Sequence, residues 1–198
     1  MSEPFPLPGE DFNRRKLVLL RPSKTVIRIN KTLFPNPLFW SRQGKYRFDS
    51  TEAPYGVLYA ASDVEGAILE VFADVWLEDH RRISLALLET YEVVEIRVST
   101  DLRLVNTLGK QLNLLGADSR LFASTEYHYT QSWGRAFMTH PREPDGILYH
   151  SRKNPCKFNY AFFEKDSAPV SFQIANRLPL TAHPALDATL DRYQVAVL

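Results

Sequence analysis

Nine consecutive residues, Val57-Leu58-Tyr59-Ala60-Ala61-Ser62-Asp63-Val64-Glu65, constrain this chain more than any other stretch. The first five suit a strand, and the last four match the Ser-x-x-Glu pattern whose side chains satisfy the free amides of a helix's first turn. The segment therefore reads as a strand feeding a helix, and that helix is expected to run to about Trp76. Val64, Ala67, Ile68, Val71, Phe72 and Val75 follow the helical period and define its expected buried stripe. Glu70 falls beside the stripe. Its expected same-face neighbours are Gly66, Ala73 and Asp74, and two of these are too small to cover it, so a ligand can approach the carboxylate.

Around this unit the chain alternates short apolar runs with breakers. Val26-Ile27-Arg28-Ile29 alternates like a strand, with Arg28 on the face opposite the isoleucines. Prolines 35, 37 and 54 and Gly44 make residues 33–54 a long irregular loop, rich in aromatics and cations, of a length often tied to function. Within the ambiguous stretch Ile83 to Ser99, Val93 to Val98 favours a strand. Leu102 to Val105 reads as another. Helices are expected at Lys110–Leu115, closed by Gly116, and at Thr130–Thr139, with strands at Ile147–Ser151 after the Asp145-Gly146 turn and at Lys157–Glu164. Residues 1–23, with Pro4, Pro6 and Pro8, read as an arm extending a domain that spans 24–198.

A chain of 198 residues can bury one sizeable core without staples. Lys plus Arg (24) nearly balances Asp plus Glu (23), so no global field draws the chain to nucleic acid or to an anionic membrane, and anion binding has to be local. The single Cys156 excludes an internal disulfide and any Cys-x-x-Cys motif, and a buried structural thiol is the expected role. Leu17 to Leu20 is too short for a signal or membrane segment, so a soluble cytoplasmic protein is expected. The five histidines lack metal-ligand spacing, and no metal is expected.

Four residue types stand in an order that suits cleavage of a nucleotide. Glu70 on an open helix shoulder can stabilise positive charge developing on a sugar as a glycosidic bond breaks. Tyr59, on the strand before it, offers a stacking surface for a planar base. Arg28 and Arg47 can clamp phosphate oxygens bidentately. Ser151 ends a strand without the G-x-S-x-G context of an activated nucleophile, so it is read as a hydrogen-bonding group. Each has an ordinary alternative: a solvated helix acid, a half-buried strand tyrosine, surface cations.

Together, Val26-Ile27-Arg28-Ile29, Tyr46-Arg47-Phe48, Gly56-Val57-Leu58-Tyr59-Ala60, Ala67-Ile68-Leu69-Glu70, Thr130-Gln131-Ser132-Trp133 and Asp145-Gly146-Ile147-Leu148-Tyr149-His150-Ser151-Arg152 resemble segments of the RES domain family, from about Val26 to Tyr193. That family is named for its Arg, Glu and Ser, and its members are commonly toxins of bacterial toxin–antitoxin pairs. The resemblance implies an α+β fold, a single mixed-sheet domain similar to ADP-ribosyltransferases, that cleaves the nicotinamide–ribose bond of NAD by hydrolysis or phosphorolysis. NAD would be substrate, with no cofactor. By the same resemblance Arg28 and Arg47 would hold the diphosphate or ribose, Tyr59 would pack against the nicotinamide end, Glu70 would stabilise the ribosyl cation and Ser151 would position the substrate. A helix-turn-helix, Xre-like antitoxin is the implied partner, and self-association is open. Two other functions stay in view: ADP-ribosyl transfer to a protein, and a non-catalytic nucleotide-binding module. Against transfer to arginine, Ile68 stands where arginine-directed transferases carry the first acid of a Glu-x-Glu pair.

Overall fold

The computed structural model describes residues 5–52, 55–98, 101–165 and 172–198; Pro4, Pro54 and Ser99 lie outside them. The strand–helix unit forms where the sequence places it, as β3 (Val57–Ala61) and α1 (Val64–Glu78). The helix starts one residue later than the Ser-x-x-Glu pattern suggests. The Ser62 amide still bonds across the sheet to the Phe158 carbonyl, and Asp63 becomes the cap, its Oδ1 accepting the Gly66 amide at 2.8 Å.

Eight strands make one mixed sheet. Beside β3 lie β2 (Thr25–Lys31) on one side and β8 (Phe158–Phe163) on the other. Beyond β2 come β5 (Tyr91–Val98) and the edge strand β9 (Phe172–Pro179). Beyond β8 come β7 (Gly146–His150), β6 (Leu104–Asn106) and the two-residue β1 (Leu19–Leu20). Only β6 and β7 run parallel within this sheet. A separate parallel pair joins β4 (Arg82–Ile83) to β10 (Ala196–Val197). No helix among the described residues is long and apolar enough to cross a membrane.

The pairing is uneven, and that unevenness opens the cleft. β2 pairs with β5 from Thr25↔Arg97 to Lys31↔Tyr91, but with β3 only at Ile27↔Ala61. Past that pair the two strands part. The irregular loop after β2 enters the fork and closes its far end, where Ser41 and Val57 exchange backbone hydrogen bonds of 2.9 Å.

One face of the sheet carries two separate apolar layers. Val57, Val105, Ile147, Ala161 and Phe163 pack beneath α5 (Tyr127–Met138), with α3 (Lys110–Leu115) and α4 (Arg120–Ala123) contributing Leu112, Leu115 and Leu121. Gly116 closes α3 in the left-handed conformation at φ 77°, the glycine stop that the sequence suggests. Residues of the N-terminal arm dock here: Phe12 meets Trp133 edge-on, Phe5 stacks on Tyr129, and the Trp133 indole donates to the Pro6 carbonyl. The second layer, Ile27, Ile29, Ala61 and Val93, lies under α1 and α6 (Ala185–Arg192), and the short α2 (Leu85–Leu88) adds Leu88. The opposite face buries Val26, Leu58, Val94, Ile96, Leu148 and Phe162.

Packing against α6 corrects the expected stripe of α1. Its buried residues are Gly66, Ala67, Ile68, Leu69, Phe72, Ala73 and Trp76, while Val75 is 37% exposed. Trp76, in this buried arc, stacks on Tyr193 just after α6. Gly66 and Ala73, expected to leave Glu70 uncovered, are themselves buried. Cys156 is exposed, not buried: it sits in the turn between β7 and β8, its amide bonded to the Asn154 side chain.

At Gly134 α5 passes the backbone of Phe48 so closely that a Cβ would lie 2.9 Å from its carbonyl oxygen and 3.2 Å from its Cα. Backbone cannot rotate aside as a side chain can. Gly134→Ala is therefore expected to lower the free energy of unfolding by about 1–3 kcal/mol, the range for overpacking, read by urea denaturation.

Candidate active site

A cleft of about 800 Å³ lies in the fork, between the α1 and α5 layers. One wall is the α1 stripe Ala67, Glu70, Val71 and Asp74, spaced by three and four residues so that all four share one helical face. The floor is Tyr59, Tyr149 and Asn159, neighbours across the β3, β8 and β7 ladders. Arg28, Phe34, Phe39, Tyr46, Arg47 and Tyr127 lie along the rim, with Arg152 and Lys153 beside Asp74.

Glu70 has an exposed side chain, but one of its oxygens is anchored. Oε1 accepts the Ser151 hydroxyl at 2.5 Å and the Asn159 amide at 2.9 Å. Ser151 is fully buried, and its Oγ also accepts the amides of Lys153 and Asn154 at 3.1 and 3.3 Å. The serine is thus committed to Glu70 and to the turn after β7. It does not line the cleft, which differs from its expected contact with substrate.

Asp49, absent from the sequence-derived set, organises the loop in the fork. It is fully buried, and Oδ2 accepts the Ser41 hydroxyl at 2.7 Å and the amides of Lys45 and Tyr46 at 3.1 and 3.2 Å, while Oδ1 accepts the Tyr59 hydroxyl at 3.0 Å. The Tyr59 oxygen in turn accepts the Phe48 amide at 2.9 Å. Burial, and next the Asp49 charge, push the Tyr59 phenol well above its usual range, so it stays a donor. Its hydroxyl is occupied in fixing the loop, and its ring remains part of the cleft surface, edge-on to Tyr46.

Arg47 rides on that loop. Its guanidinium is buried, donates to the Ser124 carbonyl at 2.8 Å and lies 5.3 Å from the centroid of the Tyr127 ring. Thr130 donates to the Arg47 carbonyl, and Gln131 to the carbonyls of Gly44 and Tyr46, so α5 grips the loop on both sides of the arginine. Arg28 reaches the fork from β2 and donates to the Phe39 carbonyl at 3.3 Å. Burial shifts its pKa downward, with Tyr46 acting in the opposite sense, yet a guanidinium stays charged. Neither arginine has a carboxylate within ion-pair distance among the described residues. Two such cations in one cleft, without a counter-ion among the described residues, are able to neutralise anionic groups.

The structure thus gathers Arg28, Arg47, Tyr59 and Glu70 around one cavity and places Ser151 directly behind Glu70. Other cleft residues escaped the sequence reading, among them Tyr127, Tyr149 and Asn159. Tyr127 and Tyr149 look like ordinary aromatics; burial, and next the Glu70 charge, raise the Tyr149 phenol. Asn159 carried a signal, as the lone polar residue in the strand Phe158-Asn159-Tyr160-Ala161-Phe162-Phe163.

The RES domain model matches residues 25–186. The chain belongs to the RES domain family. The RES match takes in every cleft residue named above, from Arg28 to Asn159. Among solved structures, a chain of the crystal structure of the M. tuberculosis MbcT–MbcA toxin–antitoxin complex is similar, with a TM-score of 0.68 at 15% identity over 91% of this chain and 98% of that one. At that identity the likeness concerns the fold. No curated protein sequence matches the chain.

Two tests follow from this RES site. Asp49→Ala leaves two hydroxyls and two amides without their acceptor and is expected to cost about 3 kcal/mol of unfolding free energy, measured in urea. Asn30, on the cleft wall, donates to Glu92, whose pKa is lowered, chiefly by its hydrogen bond from Arg177. A depressed carboxylate contributes stability that is present above its unfolded pKa and lost as pH falls through the lower folded value. Melting curves between pH 6 and pH 3 should accordingly fall less steeply for Glu92→Gln than for the unaltered chain, about in line with one carboxylate removed from the linkage.

Proposed function

We propose that this RES protein cleaves the nicotinamide–ribose bond of NAD, as the toxin of a pair silenced by a cognate antitoxin. The observation that carries the reading is the anchored Glu70 carboxylate on the same cleft as two arginines that lack counter-ions among the described residues. NAD is a diphosphate between two ribosides, and its glycosidic bond breaks with charge developing on the sugar. Arg28 and Arg47 would neutralise the diphosphate, Tyr59 and the neighbouring rings would flank the nicotinamide, and Glu70 would stabilise the ribosyl cation. Because Ser151 holds Oε1, the carboxylate need not reorganise as the cation forms, which is how preorganised electrostatics lowers a barrier. The volume lies within the range of about 300–1,000 Å³ usual for small-molecule sites.

Hydrolysis and phosphorolysis share this geometry up to the cation and differ only in whether water or phosphate captures it. Transfer to a protein arginine is disfavoured by a specific feature: Ile68, two residues before Glu70, is 0% exposed and faces the core. The partner reading draws on the family and on the neighbour, which was solved as a toxin–antitoxin complex.

The deciding measurement is nicotinamide release from NAD by the purified chain, with and without phosphate. Glu70→Gln is expected to reduce kcat about a hundredfold or more while leaving the melting temperature in place, since one preorganised charge is lost with little change in volume. Arg28→Ala is expected to raise the KM for NAD about tenfold, the equivalent of about 1.4 kcal/mol of lost charge-assisted binding. Full activity of Glu70→Gln would refute the assignment.

A further inference from the structure

We infer that Asn159 is a positioning residue for Glu70, the second half of a clamp whose first half is Ser151, and that it is kept at the expense of stability. The inference rests on the NAD-cleaving reading and adds to it a residue outside the arginine, tyrosine, glutamate and serine that the sequence brings forward.

The geometry is specific. Asn159 is 2% exposed, on the central strand β8, with Ala61 opposite it on β3 and Tyr149 opposite it on β7. Asparagine is disfavoured inside strands, and the other five residues of β8 are apolar or aromatic. Its amide nitrogen donates to Glu70 Oε1 at 2.9 Å, the oxygen that Ser151 also bonds. A carboxylate is an acceptor, so this contact sets the orientation of the amide, nitrogen toward Glu70 and oxygen away. The oxygen Oδ1 is then buried with no hydrogen-bond partner among the described residues.

Two consequences follow. Donors from two different elements converge on one oxygen, Oε1, which restrains the carboxylate of a residue that lines the cleft. A buried acceptor without a partner is destabilising, and an aliphatic side chain would sit in β8 without that penalty. A residue that breaks local preference without a stabilising return marks a functional position. The purpose served here is the aim of the carboxylate: Asn159 touches Glu70, and acts on the ribosyl cation through it.

The test is a double-mutant cycle on nicotinamide release, with wild type, Asn159→Leu, Glu70→Gln and the double variant. Asn159→Leu is expected to lower kcat about tenfold or more with KM within about twofold, and to change kcat by less than about twofold when Glu70 is already glutamine, because residues that act as one unit are not additive. Its melting temperature is expected to equal or exceed that of wild type. An equal loss of kcat on both backgrounds, a rise in KM at unchanged kcat, or a lowered melting temperature would overturn the proposal. A second readout needs no turnover: crystal structures should show Glu70 in one conformer in the wild type and displaced or in several conformers in Asn159→Leu. An identical Glu70 in both would overturn the clamp even if NAD proves not to be the substrate, whereas failure of wild type to release nicotinamide beside a displaced Glu70 would reject the NAD reading and keep the clamp.

Discussion

Where β2 and β3 part after Ile27 and Ala61, two strands in the middle of a sheet lose each other's backbone groups, and the chain must supply replacements or leave them to solvent. The loop after β2 supplies one such pair, Ser41 to Val57, and the buried Asp49 carboxylate fixes its path. Four donors from three segments, namely Ser41, the turn at Lys45 and Tyr46, and Tyr59 on β3, converge on that one side chain. Arg47 is placed by this convergence, since it lies two residues before Asp49 and is gripped from the other side by α5. The cleft is therefore a fork held by hydrogen bonds that meet at Asp49, a residue that does not line it.

The charges are arranged in a consistent way. Surface acids on this protein are mostly paired: Asp74 with Arg152 and Lys153, and Glu65 with Lys157 and Arg192. Asp74 and its two partners stand on the cleft wall, but the groups deeper in the fork are held differently. Arg28 and Arg47 are held by carbonyls, and Glu70 and Asp49 by neutral donors. Carbonyls orient a guanidinium without cancelling its charge, and neutral donors do the same for a carboxylate. Arg28, Arg47 and Glu70 thus keep charge that an ion pair would have neutralised.

Much of the scaffold was legible because local signals and tertiary packing agree. β3, the start of α1 to within one residue, β7, β8 and the glycine-closed α3 follow from apolar period, capping chemistry and turn residues. β9 was not, since its side chains are largely exposed and show no alternation: an edge strand is recruited by the backbone groups of β5, which leave no trace in its side chains. α6 is short and carries no strong local signal, yet it packs on α1, whose buried arc takes in Gly66, Ala73 and Trp76, residues outside its apolar period.

By itself the sequence determined which chemical groups are present, the order in which they occur, and the strand–helix unit that carries Tyr59 and Glu70, because spacing along one element sets which side chains share a face. Only the tertiary structure decided what those groups face. Ser151 turns to Glu70 and not to the cleft, Tyr59 spends its hydroxyl on Asp49, and Asn159 and Asp49 enter the site from β8 and the loop in the fork. Those contacts join residues up to 89 positions apart, and no local periodicity can encode which side chain a separate strand will place beside a given carboxylate.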